Sequence, residues 1–146
     1  MRALSIRQPW AWLIIAGFKP VENRKQLTHI RGESLIHTGR EIDGPAHDAL
    51  MRGLHPVTLQ PSKLRLVYPP ARGESFKLGG FIGIAEFTGS VTEHPSEFFT
   101  GPHGWLVENA RPIRFQPYPG QLGWFTPETK VDTRTEGVSA DQESLL

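Results

Sequence analysis

The sequence predicts an α+β domain, a small closed or nearly closed β-barrel with two short helices at its side. Short apolar runs separated by turn residues recur along the chain and predict six or so strands. The 146 residues include 15 glycines and 13 prolines, which break the chain too often for a helix bundle. Glycine-marked bends within strands are typical of small barrels.

The first third of the chain predicts three strands and both helices. Residues 3–6 alternate in polarity and predict a strand. Pro9 suits the first turn of a helix, and Gly17 is a good stop, so a helix is expected between them. Because this segment is apolar on nearly every face, it belongs inside the domain. Strands at 21–25 and 32–38 and a short helix at 45–52 complete this part.

The remaining chain predicts a loop, four further strands and a tail. Four prolines make residues 54–76 a long ordered loop. The clearest strand is 79–91, where glycines within an apolar run predict a bulge or bend. Shorter strands are expected at 105–107, 113–115 and 122–125. We therefore expect one domain at 1–126, followed by a polar, disordered tail at 127–146.

Composition excludes several classes of protein. A net charge of +1 excludes a histone-like polycation, although a local basic cleft remains open. The absence of cysteine excludes disulfide scaffolds, thiolate metal sites and thiol nucleophiles. None of the six histidines shows metal-ligand spacing, so neither a metal nor a cofactor is expected. The longest apolar run, 11–18, is too short to cross a membrane, and no signal-peptide pattern is present, so a cytoplasmic protein without a membrane partner is expected.

Three charged residues near the start of the second strand form the first candidate site. Glu22 and Arg24 are two positions apart and share one face of a strand, and Lys19 lies in the preceding turn. Such a group can hold an anion or a polar base, and the two cations keep the glutamate ionised. The alternative is a structural ion-pair network, as many charge clusters are.

Aromatic residues and a histidine supply further candidates. Trp10 and Trp12 point about 200° apart on a helix, so one of them can line a cleft while the other faces the core. Trp105 and Trp124 are expected in the core. His37, at the end of a strand, is either a proton-transfer group or a histidine bonded to its neighbours.

The order of these motifs resembles the ASCH domain family of the PUA-like superfamily. The resemblance rests on Ser-Ile-Arg-Gln-Pro-Trp-Ala at 5–11 and Gly-x-Lys-x-x-Glu-x-Arg at 17–24. It continues through Arg31-Gly32 before a strand ending in His37, and through Gly83-Ile84-Ala85-Glu86, to about residue 126. It implies a PUA-like small mixed β-barrel with flanking short helices, and a cleft beside residues 17–24 that binds RNA or a nucleotide.

Two kinds of function follow from this resemblance. In the first, the domain grips single-stranded RNA or a modified nucleoside; the ligand-binding residues would be Gln8, Trp10, Lys19, Glu22, Arg24 and His37. In the second, it is a small enzyme, with Lys19, Glu22, His37 and Glu86 as the catalytic candidates. A metal-independent ribonuclease fits better than an acetylcytidine-type amidohydrolase. That branch of the family has a threonine where this chain has Glu22, and an ionised carboxylate is a poor substitute for a hydroxyl nucleophile. The expected partner is this RNA or nucleoside ligand, and the sequence does not identify a protein partner.

Overall fold

The computed structural model describes residues 1–135, which form a six-stranded sheet curled into a half-barrel, with two short helices. This confirms the predicted α+β class. The strands are β1 (Ala3–Ser5), β2 (Val21–Arg24), β3 (Gly32–Thr38), β4 (Gly80–Val91), β5 (His103–Pro117) and β6 (Trp124–Phe125). The helices are α1 (Trp10–Ile15) and α2 (Gly44–Met51), followed by 3₁₀ turns at Lys63–Leu66 and Pro69–Arg72.

The strand order leaves the half-barrel open along one side. The order is β2-β5-β4-β3-β1-β6, with β1 parallel to β3 and the other neighbours antiparallel. Parallel neighbours need a crossover connection, and here α1 and β2 supply it between β1 and β3. Within residues 1–135, β2 and β6 form the two edges and do not pair with each other. We call the gap between the β2 edge and the β1–β6 edge the seam.

Helix α1 packs into the curve of the sheet, as its apolar sequence predicted. Ala11, Ile14 and Ile15 are buried in one cluster with residues of β3, β4 and β5, such as Ile36 and Phe87. Burying the helix on most sides fixes where its first residue, Trp10, meets the seam. The core therefore positions one wall of the site described below.

Strand β5 is one long strand where the sequence predicted two short ones. Its middle contains exposed polar residues, including Glu108 and Asn109, which separate two apolar runs in the sequence. Pairing with β4 continues through this polar stretch because the register shifts at three places, and Asn109 adopts a φ of 51°. Bulges absorb the irregular residues without ending the strand. Such shifts leave no period-two signal in the sequence.

The segment predicted as a disordered tail is described as far as residue 135, and this part is held against β5. The Gln116 side chain donates to the Asp132 carbonyl at 2.6 Å and accepts from the Asp132 N–H at 2.9 Å. The Arg114 N–H donates to the Arg134 carbonyl at 2.9 Å. These bonds connect Asp132 and Arg134 to β5, and the disordered tail remains a prediction. Residues 136–146 lie outside the described part of the chain.

The contact between α1 and β4 leads to a prediction about stability. A Cβ atom added at Gly83 would lie 2.5 Å from Ile15 Cδ1 and 2.6 Å from the Arg111 carbonyl oxygen. Because the carbonyl belongs to the paired strand and cannot move freely, Gly83→Ala should lower the free energy of unfolding by about 1–3 kcal/mol. Urea denaturation followed by tryptophan fluorescence measures this change.

The matched control is Gly39→Ala, since no atom lies within 4 Å of a Cβ there and φ is not positive. That substitution should change the unfolding free energy by no more than about 1 kcal/mol, most of it through the unfolded chain. Equal urea midpoints for Gly83→Ala and Gly39→Ala would contradict the close packing at Gly83.

Candidate functional site

A cleft with a volume of about 1030 Å³ lies along the seam. One side is formed by β2 and the residues just after it, including Glu22 and Arg24, and the other by Ser5, Ile6 and Gly123. No backbone ladder joins these two edges. The site is therefore the space that an unclosed barrel leaves between its edges, and we call it the seam cleft.

Lys19, Glu22 and Arg24 meet in this cleft as an ion triplet. Lys19 Nζ lies 2.8 Å from Glu22 Oε1, and Arg24 Nη2 and Nε lie 2.9 and 3.0 Å from Glu22 Oε2. The exposed fractions of the three side chains are 2%, 9% and 27%, in chain order. The two-residue spacing on β2 places Glu22 and Arg24 on one face, and the tight turn before the strand delivers Lys19.

The triplet keeps Glu22 ionised although it is buried. Burial raises the pKa of Glu22, but the charges of Lys19 and Arg24 and their hydrogen bonds together outweigh it, so its pKa lies below the ordinary value of 4.5. One carboxylate between two cations leaves the triplet with a single positive charge. An uncompensated charge at the base of a cleft favours an anionic or carbonyl-rich ligand.

Arg24 also bridges the seam and covers an indole ring. Its Nη2 donates to the Ser5 carbonyl of β1 at 3.1 Å, and its guanidinium carbon lies 5.3 Å from the Trp105 ring centroid. Lys19 Nζ similarly lies 5.6 Å from the Trp10 ring centroid. Each cation thus pairs with an aromatic face as well as with the carboxylate. These contacts hold both cations in fixed positions.

Trp10 lines the seam cleft and is anchored by Asp43. The indole Nε1 donates to Asp43 Oδ2 at 2.9 Å, and Asp43 Oδ1 accepts from the Ala46 N–H at 3.2 Å as the cap of α2. Trp12 points elsewhere and contacts Phe18 and Tyr68, in agreement with the predicted divergence of the two rings. Sequence reasoning missed Asp43; its one signal was a capping residue just before Gly-Pro.

Further residues line the cleft that sequence reasoning did not assign to it. Trp105 was predicted in the core and is 7% exposed, yet its ring also borders the cleft and stacks on Trp124 at 5.8 Å. Arg7 and Lys25 are exposed at the rim with Glu41, so four cationic side chains line the cleft against two carboxylates. The remaining lining residues are Asn23, Gln26, Pro56, Val57, Thr100 and Leu122.

Gln8 does not line the seam cleft. It is 3% exposed; its Oε1 accepts from the Trp12 N–H at 2.9 Å, and its Nε2 donates to the Lys77 carbonyl at 3.3 Å. These bonds tie the start of α1 to the segment just before β4. In this structure Gln8 has a structural role.

His37 is buried beside a second cleft and not in the first. Nε2 lies 2.7 Å from the Tyr118 carbonyl, which can only accept, so Nε2 carries the proton and Nδ1 accepts from Ser5 Oγ at 3.3 Å. Burial lowers the pKa of His37, and the bond to Tyr118 opposes this only in part. The ring also packs edge-on against Phe81 and Phe125. This is the bonded histidine that the sequence left as an alternative.

Glu86 lies apart from both clefts. The strand register places it between Glu33 on β3 and Glu108 on β5, and its Oε1 accepts from Asn109 Nδ2 at 3.1 Å. Of the predicted residues, the structure therefore brings together Trp10, Lys19, Glu22 and Arg24, and leaves Gln8, His37 and Glu86 outside. Among residues 1–135, no group of three or more histidine and acidic side chains is arranged to hold a metal ion.

Comparison with known families decides where the chain belongs. The model of the ASCH domain matches residues 4–92, more than half of the chain. The chain belongs to the ASCH domain family. The match contains the whole ion triplet, Trp10, two of the three residues of β1, and β2 to β4, and this PUA-like family is consistent with RNA binding. No curated protein matched the chain. In the described part of this ASCH domain, no helix has the length and apolar character needed to cross a membrane.

The buried triplet predicts a pH-dependent contribution to stability. Glu22→Gln leaves two cations without their counter-ion and should lower the free energy of unfolding by roughly 3–5 kcal/mol at neutral pH. A carboxyl whose pKa is lower in the folded state stabilises fully above its unfolded pKa, and this stabilisation is lost as the pH falls. The difference between the wild type and Glu22→Gln should therefore be constant above about pH 5 and shrink below 4.5.

Urea denaturation across this pH range measures the difference. The control is Glu33→Gln, whose partner Arg111 lies at 3.2 Å in an exposed pair and should contribute no more than about 1 kcal/mol. A difference at Glu22 that stayed constant down to pH 3 would show that its pKa is not lowered by folding.

Proposed function

We propose that the seam cleft binds a nucleotide unit of single-stranded RNA, or a modified nucleoside, without chemical turnover. The observation that carries this proposal is the Lys19–Glu22–Arg24 triplet in an aromatic-walled cleft with an excess of positive charge. Single-stranded RNA is recognised where bases stack on aromatic rings beside cationic groups. Membership of a PUA-like family supports the same class of ligand.

In this proposal the base enters the cleft edge first and stacks on Trp10. Lys19 is almost fully buried, so it reaches only ligand atoms that enter the cleft, and a base carbonyl suits its ammonium. Arg24 donates beside it. Glu22 holds both cations in place. Its Oε2 meets two Arg24 nitrogens, whereas Oε1 has a second lone pair beside its bond to Lys19 and can accept from a base N–H.

The phosphate belongs at the rim in this arrangement. The Arg7 side chain is 58% exposed, and Lys25 is also exposed, so both reach solvent where a hydrated phosphate passes. Contacts of this kind give affinity that falls as the salt concentration rises. In this proposal the buried triplet recognises the base, and the exposed rim contacts the phosphate.

The enzyme alternative finds less support in the geometry. Lys19 is an ammonium in an ion pair, which cannot accept a proton, and Glu22 is ionised with both oxygens bonded. His37 and Glu86 do not line the seam cleft. Of the four groups proposed for proton transfer, Lys19 and Glu22 meet but are paired with each other, and the other two lie elsewhere, which favours binding over catalysis.

Binding to a fluorescein-labelled, mixed-sequence single-stranded RNA octamer tests the proposal. Base–aromatic stacking contributes about 1–3 kcal/mol per base, so Trp10→Ala should weaken binding by at least about fivefold, and Trp10→Phe by less. The control is Phe18→Ala, an aromatic residue that is 41% exposed and lies outside the cleft. If Trp10→Ala and Phe18→Ala both bind like the wild type, the cleft is not the RNA site.

A second experiment separates binding from turnover. The protein is incubated with EDTA, the same octamer and a panel of acetylated nucleosides, and the mixture is read by mass spectrometry. We expect unchanged substrates. A 2′,3′-cyclic phosphate would establish a metal-independent ribonuclease, and loss of an acetyl group would establish an amidohydrolase. If product formation disappears in Lys19→Ala under saturating ligand, the seam cleft is catalytic and our proposal is wrong.

A further inference from the structure

A second cleft adjoins the seam cleft and has a volume of about 740 Å³. The residues that line both clefts are Ser5, Ile6, Arg7, Glu41 and Leu122. The second cleft then continues over Arg40 and Gly79 and the turn at 117–121. The two clefts are therefore neighbours that share part of their lining, and we call this shared lining the ridge. Each is of the order of size of a small-molecule site, about 300–1,000 Å³.

The walls of the second cleft suit a nucleotide. Pro117, Tyr118 and Pro119 provide flat, largely apolar contacts, and Arg40 is exposed at the opening. Gly79 lies beneath the Arg40 side chain, since a Cβ there would be 3.6 Å from Arg40 Nε. His37 lines this cleft in its neutral form. Together with Arg7 on the ridge, which also pairs with Asp43 at 3.8 Å, the lining of the cleft includes two guanidinium groups and one carboxylate, that of Glu41.

Leu122 marks the ridge between the two clefts. Its side chain is 98% exposed, the most exposed of the large apolar residues in the described chain. Single exposed leucines are common on protein surfaces. Leu122 lines both clefts, so it lies between a base in one cleft and a base in the other. Proteins that bind nucleic acid insert apolar side chains as wedges between neighbouring bases.

We propose that the second cleft takes the neighbouring nucleotide of the same RNA strand, so that the ligand is a strand of at least two nucleotides. This inference rests on the proposed function of the seam cleft. Arg7 and Arg40 contact the phosphates, and Leu122 separates the two bases. A free nucleoside would fill the seam cleft alone and leave Arg40 and the second cleft without a role.

The experiment compares a mononucleotide with a strand. Affinities are measured for each of the four ribonucleoside 5′-monophosphates and for the mixed-sequence RNA octamer, at several salt concentrations. Arg40→Ala should weaken octamer binding by about fivefold and reduce the slope of log affinity against log salt by about 0.7, the value for one phosphate contact on a single strand. Monophosphate affinity should not change, because Arg40 lies outside the seam cleft.

Matched variants control for charge and apolarity. Arg52→Ala removes an exposed arginine outside both clefts and should leave octamer binding unchanged. Leu122→Ala should weaken octamer binding, whereas Leu66→Ala, which removes a 69% exposed leucine elsewhere, should not.

The outcomes separate this inference from the function on which it rests. If Arg40→Ala and Arg52→Ala bind the octamer equally well, and the octamer binds no more tightly than a monophosphate, the second nucleotide is excluded while the seam cleft stands. If neither the monophosphates nor the octamer bind the wild type, both proposals are wrong. Octamer binding that is weakened by Arg40→Ala but not by Trp10→Ala would place the RNA in the second cleft alone and overturn the continuous path.

Discussion

The hydrogen bond of Arg24 across the seam, with Arg24 held by Glu22, is the interaction on which the site depends. Backbone hydrogen bonds hold neighbouring strands about 4.8 Å apart, and such a ladder between the two edges would leave no cleft. Here Arg24 reaches from β2 to the Ser5 carbonyl of β1, while Glu22 binds Arg24 and Lys19. Burying these charges costs desolvation energy, which close contacts to both carboxylate oxygens offset. An arginine side chain therefore links the two edges where no backbone ladder joins them, and the same residues line the cleft.

Aromatic packing makes the walls of this cleft rigid before any ligand arrives. Trp105 on β5 stacks on Trp124 of β6 with an interplanar angle of 18°, and Phe87 of β4 meets both rings edge-on. On the other wall, Asp43 both caps α2 and holds the Trp10 indole, so the helix and the ring are positioned together. Side chains that are already ordered lose little further entropy on binding. A ligand that binds between these walls therefore causes a smaller loss of side-chain entropy than it would in a flexible site.

Local periodicity predicted the parts of the site that lie close together in the sequence. The alternation of a strand placed Glu22 and Arg24 on one face, and the helical angle separated Trp10 from Trp12. Such local rules do not predict contacts between segments that are far apart in the sequence. Asp43 is 33 residues from Trp10, and the position of His37 depends on the bond to Tyr118, 81 residues away. The surroundings of Glu86 depend on the register of β4 with β3 and β5. The sequence divided β5 in two at its polar residues, because the bulges that keep the strand continuous leave no regular period in the sequence.

The charges of the seam cleft also bear on the choice between binding and catalysis. General acid–base catalysis works best with a group whose pKa lies near the working pH, because the group must both take and give a proton. Despite the burial of Glu22, Lys19 and Arg24 lower its pKa, so Glu22 keeps its charge near neutral pH, and Lys19 is committed to an ion pair with it. Histidine is the side chain whose ordinary pKa lies close to neutral pH. His37, however, is buried outside the cleft, is bonded at both ring nitrogens and is neutral. A fixed array of charges suits the selection of a ligand by complementarity, which supports the binding function proposed above over catalysis.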